Sequence, residues 1–176
     1  ASGNIAVGYH ALYSNTTGTK NVGVGNSALG TITTGDSSTA VGFKALNAAT
    51  ASNNTAVGTQ ALMLTTTGGN NVAVGQNAMA SNTTGNNNTA LGLNALNANT
   101  TGTQNTAVGT YAGYSITTGN NLTAVGYRAA LTNEGGENTA IGSEALEMNT
   151  TGSSLVAVGF RALEENTTGA SSTCLL

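Results

Sequence analysis

The chain has 176 residues, of which only 6% are charged, and it carries a formal net charge of −3 with 25 glycines and no proline or tryptophan. Typical soluble domains contain about 25% charged residues, so this composition argues against an average globular enzyme. Four Lys and Arg residues are too few to bind a run of phosphates or an anionic membrane surface, which makes nucleic acid and membranes unfavourable partners.

The whole chain consists of one repeat, anchored by the glycine of an Ala-Val-Gly triplet that recurs about every 17 residues. Each copy reads approximately Asn-Thr-Ala-Val-Gly-x-x-Ala-Leu-x-x-Asn-Thr-Thr-Gly-x-x. Positions are numbered from the anchoring glycine, so that Val is at −1 and the next Ala at +3. The ten anchoring glycines are Gly8, Gly25, Gly42, Gly58, Gly75, Gly92, Gly109, Gly126, Gly142 and Gly159.

The repeats leave no room for a linker or a second domain, so we expect a single array over residues 1–176. Its coils begin near residues 4, 21, 38, 54, 71, 88, 105, 122, 138 and 155, with a partial coil at 172–176. The coils at 38–53 and 122–137, called the short coils below, lack one residue of the period, and we expect local bends or altered turns there. No apolar run reaches the ~20 residues of a membrane-spanning helix, so membrane insertion is not expected.

A period of about 17 residues is too short for two packed helices, and the Thr, Asn and Gly content opposes helix formation. We therefore predict an all-β fold, a repetitive parallel β-solenoid or β-roll of about ten coils. Asn-Thr-Ala-Val-Gly is predicted as a first strand, Ala-Leu as the centre of a second, and Asn-Thr-Thr-Gly as a turn with a left-handed glycine. Coils stacked at about 4.8 Å would form a rod roughly 48 Å long.

Alternation along the first strand predicts that the residues at −3 and −1, mostly Thr and Val, fill the interior of each coil. The opposite face would then offer only Ala and Gly, suited to close approach by another backbone. A thin coil cannot offset its ordering entropy alone, so we expect an obligate homo-oligomer. The simplest form is a parallel homotrimer, intertwined or side by side, and its open coils are expected to pair end to end.

The segment from Asn54 through Gly58 to Leu62, Asn-Thr-Ala-Val-Gly-Thr-Gln-Ala-Leu, resembles the head repeats of trimeric autotransporter adhesins. The complete unit with its Asn-Thr-Thr-Gly turn is also similar to repeats in bacterial and phage tail-fibre-domain proteins. The resemblance covers nearly the whole chain. It implies a left-handed β-roll of three chains and a place in a fibre outside the cell.

Residues with catalytic or metal-binding chemistry are few. Gly23 to Ala28 matches a dinucleotide-binding fingerprint, but the periodicity identifies it as one more repeat without the helix that such a site needs. His10 has no partner in a nucleophilic arrangement, and the lone Cys174 fits a small-residue position. No enzyme activity, catalytic residue, cofactor or metal site is therefore expected.

Acidic residues cluster in the last third of the chain. Arg128, Glu144 and Arg161 share position +2 in consecutive coils, which predicts a surface ladder of alternating charge. Glu147 and Glu164 share position +5, where weak calcium binding is an alternative to solvated charge. Within the Asn-Thr-Thr-Gly turns, N-x-[ST] sequons that turn chemistry explains begin at Asn15, Asn82, Asn99, Asn149 and Asn166.

Aromatic residues share a small number of repeat positions. Four occupy +1 and two occupy +5, where they would serve as wedges between coils or chains, or as platforms on which glycans stack. The candidate adhesion surface consists of Tyr9, Tyr13, Tyr111, Tyr114 and Tyr127.

The pattern favours a structural segment of an extracellular fibre, an adhesin head or shaft or a tail-fibre-like filament on a cell surface or virion. It would act as a rigid spacer and attachment surface, with copies of itself as partners and a host-surface glycan or protein as ligand. The alternative is an ice-binding solenoid, in which stacked Thr-Thr pairs at the turns form a regular hydroxyl array.

Overall fold

A computed structural model describes all of residues 1–176 and contains eleven short strands and no helix. The chain therefore forms no helix that could span a bilayer. All strands belong to one parallel sheet in sequence order, one strand per coil, which confirms the predicted β-solenoid. The strands are β1 (Ile5–Val7), β2 (Val22–Val24), β3 (Thr39–Val41), β4 (Thr55–Val57), β5 (Val72–Val74), β6 (Thr89–Leu91), β7 (Thr106–Val108), β8 (Thr123–Val125), β9 (Thr139–Ile141), β10 (Val156–Val158) and β11 (Thr173–Leu175).

The register stacks each repeat position on its equivalent in the next coil. Ala40 pairs with Ala56 and Val41 with Val57, although the coil between them is one residue short. Cys174 pairs with Ala157, so it occupies the small-residue position expected for it.

The interior of the coil is the reverse of the one predicted from strand alternation. The alanines at −2, such as Ala56 and Ala73, have no exposed surface, whereas Val57 at −1 is 37% exposed. The prediction of a Val and Thr interior and an Ala and Gly seam is therefore wrong. The space inside one coil is narrow, so it accepts Ala at −2, Ala at +3 and Leu at +4, and it excludes a branched side chain from the strand.

The predicted second strand is also absent, because the Ala-Leu pair lies in a turn. Residues at +2 and +4 both have positive φ: Gln60 has φ 59° and Leu62 has φ 50°. These two left-handed residues turn the chain tightly and aim the +4 side chain inward, where Leu62 is fully buried.

The anchoring glycine is required by both conformation and space. Its φ lies between 124° and 139° in every coil, a region that L side chains rarely adopt. A Cβ at Gly58 would lie 2.6 Å from the carbonyl oxygen of Gly75 in the next coil. Invariant glycine at this position is therefore what allows coils to stack at strand spacing.

The second glycine, in Asn-Thr-Thr-Gly, does not adopt the predicted left-handed conformation. The left-handed residue of that turn lies two positions later, as at Asn70 with φ 58°. The glycine is needed for space instead: a Cβ at Gly68 would lie 2.9 Å from the amide nitrogen of Asn82 and would also meet the backbone of Gly85.

Asparagine occupies −4 in seven of the ten coils, and where it is buried it ties its coil to the neighbouring ones. The amide of Asn71 donates to the carbonyl of Gly85 at 2.8 Å, and its Oδ1 accepts the backbone N–H of Asn88 at 2.9 Å. The same pair of hydrogen bonds recurs at Asn54, Asn88 and Asn105. One carboxamide thus satisfies two buried backbone groups per coil.

The two short coils have altered turns, as predicted. In a complete turn three successive N–H groups, those of Thr66, Thr67 and Gly68, converge on the carbonyl of Thr83. In the coil at 122–137 the carboxylate of Glu134 replaces that carbonyl. The coil at 38–53 has no such acid, and the corresponding hydrogen bonds of residues 33–35 are absent.

Candidate functional site

The outer face of the sheet carries most of the exposed large hydrophobic side chains of the chain. The −1 side chains lie on it in an unbroken file of Val, Leu and Ile, next to the −3 file of Thr, Val and Ile. Fourteen of the eighteen exposed large hydrophobic residues occupy positions −3, −1 or +1. They are Ile5, Val7, Tyr9, Val41, Phe43, Val57, Val72, Leu91, Leu93, Tyr127, Ile141, Val156, Phe160 and Leu175.

This apolar face is a consequence of how little the interior can hold. Because alanine occupies the inward −2 position, the β-branched residues on either side of it must point outward. Strand alternation alone is compatible with two arrangements, one with Val facing the interior and one with Ala facing it. The sequence shows that the two sets of side chains alternate, but it does not show which set faces the interior.

The five tyrosines predicted as an adhesion surface form two separate clusters. In the first coil Tyr9 stacks on His10 with ring centroids 3.8 Å apart, and His10 lies 4.5 Å from Tyr13. Six coils further along, Tyr111, Tyr114 and Tyr127 line one recess. At about 4.8 Å per coil, roughly 29 Å separates the two clusters.

The recess has a volume of about 310 Å³ and is lined by Tyr111, Tyr114, Tyr127, Arg128 and Leu131. Tyr111 and Tyr114 meet edge to face, with ring centroids 5.3 Å apart and planes at 70°. The guanidinium of Arg128 lies 6.0 Å from the ring centroid of Tyr127. Sequence reasoning missed Arg128 and Leu131 as members of this site, although they follow Tyr111 and Tyr114 by one repeat.

The charged ladder is confirmed in part. Arg161 Nε lies 2.6 Å from Glu144 Oε2, as the shared position predicts, and this partner raises the pKa of Arg161 above its ordinary value. Arg128 pairs instead with Glu147, at 2.8 Å. Oxygens of Glu144, Glu147 and Glu164 lie within 4.8 Å of one another, the arrangement considered for calcium. Each of these carboxylates already contacts an arginine, which favours ion pairing as their role.

Two carboxylates outside this cluster are held ionised by hydrogen bonds from the neighbouring coil. The backbone N–H and the hydroxyl of Thr19 lower the pKa of Asp36. Partial burial acts to raise the pKa of Glu134, but hydrogen bonds from Thr117, Thr118 and Gly119 outweigh it and hold that pKa below its ordinary value. Both acids therefore bridge coils.

The Thr-Thr pairs do not form a uniform hydroxyl array. The first hydroxyl of the pair usually donates to a carbonyl of the next coil, as from Thr83 to Thr100 at 3.0 Å. The second, as at Thr84, is exposed. The short coil at 38–53 keeps only one threonine of the pair, Thr50, and the short coil at 122–137 has Glu134 at that position. The row of Thr-Thr pairs is therefore interrupted at both short coils.

Of the sequon asparagines that begin an Asn-Thr-Thr-Gly turn, Asn82, Asn99 and Asn149 have no exposed surface. Their amides bond the glycine carbonyl of their own turn, as from Asn82 to Gly85 at 3.2 Å. Turn chemistry accounts for them, as the sequence predicted.

The fold defines the class of this chain: it is a β-solenoid repeat protein with one apolar sheet face and one aromatic recess. Comparison with protein-family models, with curated proteins and with solved structures finds no match to it.

Proposed function

We propose that this chain is a structural segment of an extracellular fibre, such as an adhesin head or shaft or a tail-fibre-like filament. Copies of the chain associate through the apolar sheet face, and the rod acts as a rigid spacer that carries an attachment surface. The single observation that supports this proposal is the continuous file of Val, Leu and Ile on that face. Contiguous exposed apolar surface of this kind is typical of protein–protein contacts.

The dimensions of the face suit a partner with the same repeat. Ten strand spacings give a length of ~48 Å, and positions −3 to +1 span ~14 Å at about 3.4 Å per residue. The product, ~670 Å², approaches the ~800 Å² that each partner contributes to a standard interface. Only a partner with the same strand spacing can repeat the same side-chain contacts at every coil along the face. A second copy of this chain has that spacing.

The geometry favours two copies over the three expected from the sequence. The trimer follows from an Ala and Gly face that admits a close backbone, but the alanines of that face lie inside the coil. One flat apolar face per chain is satisfied by face-to-face packing of two sheets about 10 Å apart. A closed ring of three requires each chain to contact two neighbours through different surfaces.

Sedimentation velocity tests this proposal. The wild-type chain should sediment as an oligomer of two copies, and the double variant Val57→Lys with Leu91→Lys should be monomeric with an unchanged circular dichroism spectrum. The matched control, Thr67→Lys with Thr101→Lys, places the same charges at the same height on the turn edge and should remain oligomeric. A wild-type chain that stays monomeric at all accessible concentrations would refute self-association.

Ice binding is retained as a second candidate because the sheet face, unlike the turn edge, is an uninterrupted two-file array of Thr, Val, Leu and Ile. Ice binding needs this face uncovered in a monomer, whereas the fibre segment covers it. Thermal hysteresis of a monomeric wild-type chain, lost in the same Val57→Lys and Leu91→Lys variant, would favour this candidate over the fibre.

A further inference from the structure

We propose that the recess lined by Tyr111, Tyr114, Tyr127, Arg128 and Leu131 is a binding site for an uncharged saccharide of one or two sugar rings. The proposal rests on the attachment role proposed above and gives that role a ligand class. A volume of about 310 Å³ lies at the lower end of the range for small-molecule sites.

Two neighbouring coils are needed to form this recess. Tyr111 and Arg128 stack at position +2, and Tyr114 and Leu131 stack at +5, so large side chains from both coils form its walls. The first coil has His10 and Tyr13 at these positions, but the second coil has Ser27 and Gly30, which are too small to form the second wall. The aromatic cluster in the first coil therefore lacks the recess.

The lining matches the two-sided chemistry of a sugar ring. Three tyrosine rings and Leu131 offer apolar surface to the C–H face of a pyranose. Phenol hydroxyls and the outward N–H groups of Arg128, whose side chain is 39% exposed, offer hydrogen bonds to ring hydroxyls. A wholly apolar ligand would leave these polar groups unused, and a long peptide exceeds the volume.

The charge of the recess favours a neutral ligand. Its only cation, Arg128, already pairs with the nearly buried Glu147 at 2.8 Å. A carboxylated sugar would compete with Glu147 for that guanidinium and would be repelled by the neighbouring carboxylates of Glu144, one coil further along, and Glu164, two coils further along. Arg128, held in place by Glu147, is instead suited to donating hydrogen bonds to neutral hydroxyl groups.

Binding is tested by saturation-transfer NMR and calorimetry with maltotriose, cellotriose and N-acetylchitotriose as neutral probes. Sialyllactose serves as the acidic probe and a tetraproline peptide as the peptide probe. We expect at least one neutral trisaccharide to bind, with no binding of sialyllactose or the peptide. Binding of none of the neutral probes, or of only the acidic or peptide probe, would overturn the proposal.

Variants use residues that this fold already holds at the same positions. Tyr127→Thr introduces the residue that Thr59 and Thr110 supply at +1, and it should weaken binding by roughly twofold to tenfold, as expected for loss of one aromatic contact. The double variant Tyr111→Asn with Tyr114→Asn copies the sixth coil, which has Asn94 and Asn97 at +2 and +5, and it should abolish binding. Unchanged affinity in the double variant would contradict the assignment.

The matched control is Tyr9→Thr with Tyr13→Asn in the first coil, which should leave saccharide affinity unchanged. Equal losses in this control and in the recess variants would place binding outside the recess and overturn the proposal. Self-association is measured on the same samples and should be unaffected by the Tyr111→Asn with Tyr114→Asn variant, because positions +2 and +5 lie outside the apolar face. The monomeric Val57→Lys and Leu91→Lys variant should retain saccharide binding, which separates failure of this site from failure of the fibre proposal.

Discussion

Replacement of one anchoring glycine, Gly58→Ala, should destabilise the solenoid strongly. Gly58 has φ 131°, and a Cβ there would lie 2.6 Å from the carbonyl oxygen and 2.7 Å from the carbonyl carbon of Gly75. These are backbone atoms, so no side-chain rotation relieves the contact. Relief requires that the two coils separate, which breaks the hydrogen bond from Gly75 N–H to Val57 O at 2.8 Å.

The expected loss follows from two contributions. An L side chain in a sparsely populated φ/ψ region costs about 1–3 kcal/mol. An added methyl group without space costs about 1–3 kcal/mol. The free energy of unfolding should therefore fall by about 2–6 kcal/mol.

Urea unfolding followed by circular dichroism measures this loss. With a slope of about 2 kcal/mol/M, the midpoint should fall by roughly 1–3 M. The matched control is Gly136→Ala, where the nearest atom to a new Cβ is Asn120 O at 3.5 Å and φ is not positive. The control should change stability by no more than about 1 kcal/mol. Equal midpoints for Gly58→Ala and the wild-type chain would refute the role assigned to coil-to-coil contact.

Two further changes test the contacts between coils. Asn88→Ala leaves the buried N–H of Asn105 unpaired, while the carbonyl of Gly102 keeps its hydrogen bond from Asn99, so the free energy of unfolding should fall by about 1–3 kcal/mol. The exposed Gln76→Ala should be nearly neutral, and similar urea midpoints for the two variants would contradict the asparagine ladder. Hydrogen bonds in the folded chain lower the pKa of Glu134, so its ionised carboxylate stabilises the fold. This stabilisation is complete above the ordinary glutamate pKa and is lost as the pH falls through the lower pKa that Glu134 has in the folded chain. The difference in unfolding free energy between the wild-type chain and Glu134→Gln should therefore shrink as the pH falls from 7 to 3. The exposed Glu165→Gln should differ little from the wild-type chain at either pH. A difference for Glu134→Gln that does not change with pH would show that the carboxylate does not bridge the turns.

The sequence alone was sufficient for the fold class and its period. Recurrence of glycine at a nearly constant interval sets one strand per coil, and in-phase stacking of identical residues follows from parallel pairing. The two short coils were also visible as sites of altered turns. Repeats expose such features because a position that never varies among ten copies has a constant physical reason.

Only the tertiary structure decided which side of the strand is the inside. A period of two predicts that Val and Ala point in opposite directions, but it does not set the width of the space between the strand and the opposite turn. That width depends on the left-handed residues at +2 and +4, such as Gln60 and Leu62, which the sequence did not reveal because nonglycine residues seldom adopt positive φ.

The aromatic recess shows the same division between sequence and structure. Composition and position identified Tyr111, Tyr114 and Tyr127 as candidates, because they occupy outer positions of the repeat. They form one recess with Arg128 and Leu131 only because two coils stack, which places residues one repeat apart in sequence next to each other. The repeat thus determined what each coil contains, and the stacking of coils decided which side chains meet, because a narrow interior forces the larger ones outward.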